Sequence, residues 1–465
     1  MSIRITFLYL VTAFLAIYAW KDWFKSLCGL ILMMAIMQHE DMPKSMFGIQ
    51  GLNTWNLLFF IIFLAWFVTR RRENLKWDLP LSINVILILY FLVIFAGFFR
   101  ALFDFTNLGT YTKKDLVSEE LINTVKWIFP GLLLYDGCRS RKQVLMALGS
   151  ILVMYFLIAV QVAKRISPAA LASGDALMQG RKVCSDIGYS AVDMSVFLAG
   201  AFWAIIAAVP LFSNKKHKIL VIIAAGLVVY AQALTGGRAG YLAWAATGLT
   251  FCLLKWRKYL LLTPVVVLLL PIVFPGAVAR MFMGVGETDV TGQTVTNDYE
   301  ATSGRTLIWP YVIDKIGQSP IIGYGRLAMK RTGLADKLLE ELGESFPHPH
   351  NMYLETLFDN GIIGSIPFIL FWAVLIAYSI KLFRSSNRLC SAIGGLALSM
   401  MLTQLFAGVG SQHFYPEEST MGVWAGMFLM LRVHQEQVYA HANEVLLENN
   451  MSEQLIYEHA TASSV

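Results

Sequence analysis

A chain of 465 residues in which 57% are apolar and only 15% charged departs from soluble domains, where the fractions are roughly 45 to 50% and about 25%. The net charge of +6 would suit a nucleic-acid partner if it were spread over one surface. Lys and Arg instead fall in short clusters between apolar runs, a membrane-topology pattern that argues against nucleic acid.

Apolar runs of the kind that cross a hydrocarbon core as helices, which takes about 20 residues each, recur from Ile5 to Trp20, Trp55 to Phe67, Leu81 to Phe99, Val144 to Val162, Ala191 to Phe212, Ile219 to Leu234, Tyr241 to Leu254, Tyr259 to Phe274, Ile362 to Ile380, Cys390 to Phe406 and Met421 to Leu431. Leu27 to Met37 and Ile122 to Tyr135 are shorter candidates. The first run lacks a small-residue cleavage site and reads as a retained helix. Between the runs lie basic clusters at Arg70 to Lys76, Arg139 to Lys142, Lys215 to Lys218, Lys255 to Lys258 and Lys381 to Arg388. If each faces the cytoplasm, consecutive clusters must be separated by an even number of crossings, and the runs supply two in each gap. The amino-terminal parity stays open.

The expected fold is therefore all-α: a polytopic integral membrane protein of about 12 transmembrane helices with one large external loop domain. Residues 1–278 are expected to hold transmembrane helices with short loops, 279–360 the loop domain, 361–432 the last transmembrane helices and 433–465 a cytoplasmic tail. A polar stretch as long as Arg280 to His350 is uncommon as a mere connector and is the natural place for chemistry. Of five cysteines, only Cys184 falls in an external loop, so no disulfide or CxxC metal site is expected.

Three side chains stand out. Thr235-Gly236-Gly237-Arg238-Ala239-Gly240 falls where the chain must reverse between two short crossings, and its glycines permit the turn. Arg238 there is either an interfacial anchor or a site for a ligand anion. In Ser303-Gly304-Arg305, Ser303 is a plausible N-cap, which puts Arg305 in a first helical turn where backbone N-H groups also favour an anion. A solvated surface arginine is the plainer alternative. In Pro347-His348-Pro349-His350-Asn351, His350 is expected at a helix start on one face with Leu354, Leu357 and Phe358, the helix breaking at Asp359-Asn360-Gly361. The helix dipole would keep its imidazole neutral and available as a general base; a capping or packing role is the alternative. Arginine forks match phosphate oxygens, and a neutral base suits an acceptor hydroxyl. Together they point to transfer of a group from a lipid diphosphate to an alcohol.

At these residues the chain resembles the bacterial O-antigen ligase and O-antigen polymerase superfamily (WaaL and Wzy types), which includes protein O-oligosaccharyltransferases. The resemblance covers roughly Ser190 to Phe406 and rests on Thr235 to Tyr241, on Ser303-Gly304-Arg305 with Pro320 to Gly325, and on His350 to Glu355 running into Asp359 to Gly364. It implies a GT-C-like membrane glycosyltransferase of the bacterial inner membrane. Such an enzyme takes a glycan from undecaprenyl diphosphate on the periplasmic side, without a nucleotide sugar, cofactor or metal. Carried over, Arg238 and Arg305 hold the diphosphate and His350 activates the acceptor hydroxyl, with inversion at the anomeric carbon. Gly237 departs from a serine common at that position, and His348 is a second histidine in reach. The acceptor, whether lipid A core sugar, another lipid-linked repeat or a protein hydroxyl, is not fixed by the resemblance.

Two other readings remain. Acidic metal-assisted catalysis could draw on His39, Glu40 and Asp41 in the first external loop. A lipid-linked glycan transporter or flippase would also show many helices, although the chain lacks matching halves and its spans are nearly free of charge, Asp193 excepted. Lys164, Arg165, Arg181 and Lys182 are basic on the external side, which fits either phosphate or lipopolysaccharide contacts or simply a solvated loop, and Arg280, Arg326 and His413 are second-tier site candidates.

Overall fold

The structure, a computed structural model, describes residues 3–46, 48–167, 176–283, 287–288, 294–295, 302, 304–411 and 413–438. Ser303, residues 284–286, 289–293 and 296–301 of the expected loop domain, and the tail beyond 438 lie outside the described residues. The described chain is helical apart from two short antiparallel pairs, Ser45–Met46 with Ile49–Gln50 and Glu287–Thr288 with Thr294–Val295.

Seven described helices are long and apolar enough to cross a membrane: Thr54–Arg72, Leu81–Phe103, Arg141–Arg165, Ala191–Leu211, Lys215–Leu234, Met352–Phe383 and Arg388–Ala407. An eighth crossing results if Arg257–Val273 and Pro275–Phe282, bent by 99°, count as one broken span. Ile3–Ala19 and Trp23–Met37 are shorter apolar helices, and Arg238–Leu254 has 17 residues. A further helix runs over residues 421–438. Seven to eight spans by length and composition is a coarser result than the twelve expected from apolar runs. The Ile122 to Tyr135 candidate is a composite: a π-helical stretch, Leu116–Ile122, leads through short turns into Phe129–Gly137.

Burial is arranged as lipid requires. Peripheral helices turn large apolar side chains outward, among them Phe60, Ile88, Leu92, Leu220, Ile223 and Leu268. The Arg388–Ala407 helix, by contrast, has 78% of its span buried. In hydrocarbon such faces cost nothing, and helices associate through close packing of small residues. A Cβ on Gly395 would stand 2.4 Å from that of Ala207, and one on Gly200 2.9 Å from Met400 Sδ and Thr403 Oγ1.

The expected break falls at Gly361, whose φ of 61° and ψ of −169° interrupt Met352–Phe383. The freed backbone groups pair with Pro320 to Gly325: Ile362 N donates to Pro320 O (2.9 Å), Tyr324 N to Phe358 O (2.9 Å) and Gly325 N to Asp359 O (2.6 Å). Two of the motifs singled out in the sequence thus form one joint. Beside it Ile308, Val312, Met329, Leu338, Phe346 and Phe358 bury against each other as a small separate core. Arg4 Nη1 lies 3.8 Å from Asp41 Oδ2, so the first helix starts at the same end of the bundle as the His39 to Asp41 loop.

Candidate active site

The hairpin tip is held by its own motif. Gly236 has φ 72°, its N-H donates to Tyr241 Oη (3.0 Å), and that hydroxyl donates to Ala233 O (2.6 Å). Gly237 has no room for a side chain: a Cβ would stand 2.6 Å from Ser195 Cβ and 2.8 Å from Ala191 O. Ser195 Oγ donates to Gly237 O (3.0 Å), so a hydroxyl from the neighbouring Ala191–Ala208 helix occupies the place beside Gly237. The turn is docked, and Arg238 follows as the first residue of its helix. Arg238 Nη1 donates to Met283 O (3.2 Å).

Arg305 opens the Arg305–Gln318 helix, but the N-cap is Gly304, at φ 74°, with no side-chain cap bond. The left-handed backbone there needs glycine and displaces the expected serine cap by one residue. The Arg305 guanidinium donates to Thr302 O (3.2 Å) through Nη1, while its Nε is buried without a hydrogen-bond partner among the described residues. Burial, then the charge of Arg238, lowers its pKa. Two guanidinium groups held together at a part-buried site leave a deficit of negative charge that an anion would relieve.

His350 does not lie in the helix as expected. Asn351 is the N-cap, its side chain accepting from Tyr353 N (3.0 Å) and Leu354 N (3.1 Å). His350 precedes it in the left-handed region, φ 51°, a conformation costing on the order of 1–3 kcal/mol outside glycine. The segment is strapped in place by Trp309 Nε1 donating to Pro349 O (3.1 Å) and by Met352 N donating to Gly408 O (2.7 Å). Burial first and Arg305 second lower its pKa, favouring the neutral imidazole.

Arg238, Arg305 and His350 line one cavity of about 420 Å³, together with Arg181, Asp193, Arg280, His348, His413 and Glu417. Of the second-tier candidates, Arg280 and His413 reach this cavity. Arg326 does not: it is buried against Glu120, lies 3.6 Å from Asp359, and covers the Tyr415 ring at 3.6 Å. The His348 ring sits 4.1 Å from that of His350; it keeps an exposed edge, yet burial, then His350 and His413, lowers its pKa. His413 is the opposite case. Its Nδ1 donates to Tyr415 O (3.0 Å) and its Nε2 faces Glu417 Oε2 at 3.0 Å. Burial opposes its charge, but the charge and hydrogen bond of Glu417 together with the charge of Glu355 push it up to about 10. Glu417 went unnoticed in the sequence; the only signal was a polar segment, Gly408 to Thr420, between two apolar runs.

A second space of about 400 Å³, almost wholly apolar, runs along the other side of the hairpin, lined by Tyr241, Trp244, Leu270, Phe274, Ala277 and Met281 among others. Cavity and groove share the Arg238–Leu254 and Pro275–Phe282 helices as walls. His39 pairs with Arg165 and lies 3.6 Å from Asp41, and none of His39, Glu40 and Asp41 lines the cavity. No group of three or more His, Cys, Asp or Glu residues stands at metal-holding distances among the described residues.

Comparison with known proteins adds a name to part of this geometry. A protein named as a putative polysaccharide ligase in Rickettsia conorii is 28% identical over 177 residues, 35% of this chain and 40% of the relative. Similarly named proteins of Rickettsia prowazekii and Rickettsia felis are 27% and 26% identical over 35% and 36% of this chain and 41% of their own. The matched segments thus span about two fifths of these curated relatives. Residues 219–369, which carry both arginines and His350, match the family model described as O-antigen ligase, Wzy_C, the family that the sequence motifs resemble.

Proposed function

We propose that this chain is a membrane glycosyltransferase of O-antigen ligase type, moving a glycan from undecaprenyl diphosphate to an acceptor hydroxyl on the periplasmic face of the bacterial inner membrane, with inversion and without a metal. The observation that carries the reading is the meeting of two arginines and a neutral histidine in one cavity beside an apolar groove. The groove suits a polyprenyl chain and the guanidinium groups suit the diphosphate.

In this reading His350 takes the proton of the acceptor hydroxyl as its oxygen attacks the anomeric carbon. The bond from that carbon to the diphosphate oxygen breaks, and its electron pair stays on the leaving diphosphate. Arg238 and Arg305 stabilise that developing charge, a role worth about 10² to 10³ in rate per donor. Sugar acceptors, in particular a lipid A core sugar, are favoured over protein hydroxyls. Among the described residues the cavity wall offers charged and small polar groups, which suit the hydroxyls of a sugar.

The test is reconstitution of the purified protein with undecaprenyl diphosphate glycan and, in turn, a lipid-anchored sugar and a peptide acceptor. Transfer to the sugar that disappears in Arg238→Ala, Arg305→Ala and His350→Ala supports the reading. Near wild-type rates in any of the three would remove that residue from the mechanism.

A further inference from the structure

The cavity has a side opening distinct from the apolar groove. Between the Ala176–Ile187 and Pro275–Phe282 helices lies a space of about 400 Å³ bounded by Leu177, Met178, Arg181, Gly236 and Arg280. Arg181, Gly236 and Arg280 also line the cavity, so the two spaces adjoin at these three residues. The Ala176–Ile187 helix is firmly seated: Val183, Cys184 and Ile187 are buried, and Gly180 lies so close to Leu234 O that a Cβ would stand 1.9 Å from it. Its Leu177 side chain lies within 3.6 Å of where a Cβ on Gly276 would be, which brings the two helices together.

The lips of this opening are mixed in a particular way. Met178, 70% exposed, lines it, and Phe282, 63% exposed, ends the neighbouring Pro275–Phe282 helix; Arg181 and Arg280 line it as well, Arg280 Nη1 lying 2.6 Å from Met283 Sδ. Apolar residues beside basic ones on short amphipathic helices mark the headgroup level of a membrane. Arg181 makes no hydrogen bond or ion pair with the described residues, and its stem leans over the hairpin, 3.5 Å from the site of a Cβ on Gly236. Both arginines sit at the end of the bundle opposite the Arg70, Arg139 and Arg432 cluster, away from the side where basic residues usually collect.

We propose that Arg181 and Arg280 form a second anion site, which holds the phosphate of a membrane-anchored acceptor glycolipid entering through this opening. The proposal rests on the transfer reading above and gives each lipid-borne substrate its own entrance. The donor tail lies on the Ala277 and Met281 side of the Pro275–Phe282 helix; the acceptor enters on the Arg280 side. A fork of N-H donors is the matched partner for phosphate oxygens.

The test compares a lipid-anchored sugar acceptor bearing a phosphate monoester with the same acceptor after enzymatic dephosphorylation, in phosphatidylethanolamine vesicles. The wild-type KM is expected to be roughly ten- to a hundredfold lower for the phosphorylated form, the range for one or two charge-assisted hydrogen bonds. The double variant Arg181→Gln/Arg280→Gln should lose that preference, its KM values for the two acceptors becoming equal, and its melting curve in detergent reports that it is folded. A preference that survives in the double variant, is absent from the wild type, or is erased by added phosphatidylglycerol overturns the proposal and leaves the transfer reading standing. Absence of transfer to either acceptor by the wild type would instead fail the transfer reading. Native mass spectrometry with the phosphorylated lipid then decides the site, equal binding to wild type and double variant counting against it.

Discussion

The two ends of the bundle are both rich in arginine, and they differ in what the arginines face. At one end Arg432 forks onto Asp78, with Nη1 2.9 Å from Oδ2 and Nη2 3.0 Å from Oδ1, and donates to Tyr135 O (2.7 Å). Arg139 bonds Asp136 at 2.8 Å, and Arg70 pairs with the same carboxylate. Each of these three arginines faces a fixed carboxylate. At the other end the charge of Arg238 bears on Arg305, whose buried Nε has no hydrogen-bond partner among the described residues. Charge that a protein matches internally serves to hold helices together; charge collected around a cavity is suited to something that arrives.

The sharpest way to break this comparison is to delete one arginine from each end. Arg305→Ala should lower the transfer rate by about 10² to 10³ with little change in thermal stability, as expected for a donor that acts on the leaving group. Arg305→Lys should recover little, because an ammonium cannot reproduce the fork. Arg432→Ala should do the reverse, lowering stability in detergent by about 1–3 kcal/mol, since it leaves Asp78 only Arg139, 3.6 Å away, as a cationic partner, while KM for the donor stays near wild type. Similar melting curves for both variants would erase the distinction. Next in size, His350→Ala is expected to cost about 10² to 10⁴ in kcat, the usual range for a general base. His348→Ala should cost under tenfold, and the same assay at saturating donor tells them apart.

A smaller effect is expected at the hairpin. Gly237→Ser puts a side chain into Ser195 and should reduce transfer about tenfold by tilting Arg238. Ser195→Gly in the same protein should restore part of the loss, because the clash lies between those two residues. No recovery would mean that Ala191 O, 2.8 Å from the new Cβ, dominates.

Much of this arrangement was legible in the sequence because it is local. Apolar runs locate the helices, the glycine pair marks the hairpin, and Asp359-Asn360-Gly361 marks the break, since each depends on a few consecutive residues. What escaped depends on single backbone angles or on distant partners. The caps slipped to Gly304 and Asn351, and His350 left its helix, because one left-handed residue before a helix moves its start without altering the apolar pattern. Arg326 stood as a second-tier candidate, but Glu120 and Asp359, distant in the chain, sequester it. Ser195 beside Gly237 and Glu417 beside His413 are tertiary facts of the same kind.

The finest test separates the histidines by pH. A general base works in its neutral form, so activity falls as pH drops through its pKa. Burial and Arg305 lower His350 from 6.5, so it stays neutral, and the rate holds, until the pH falls below that value. His348 is lowered further, to about 3, and His413 is pushed up to about 10 by Glu417 and Glu355. An acid limb of kcat/KM below 6.5 is therefore expected for His350, whereas His348 would place it near 3 and His413 near 10. Arg305→Gln should then shift a His350 limb upward, towards 6.5, since removing a neighbouring cation favours protonation. The shift should be partial, because burial is the larger cause and the substitution leaves it in place; a limb that does not move would separate Arg305 from the base altogether.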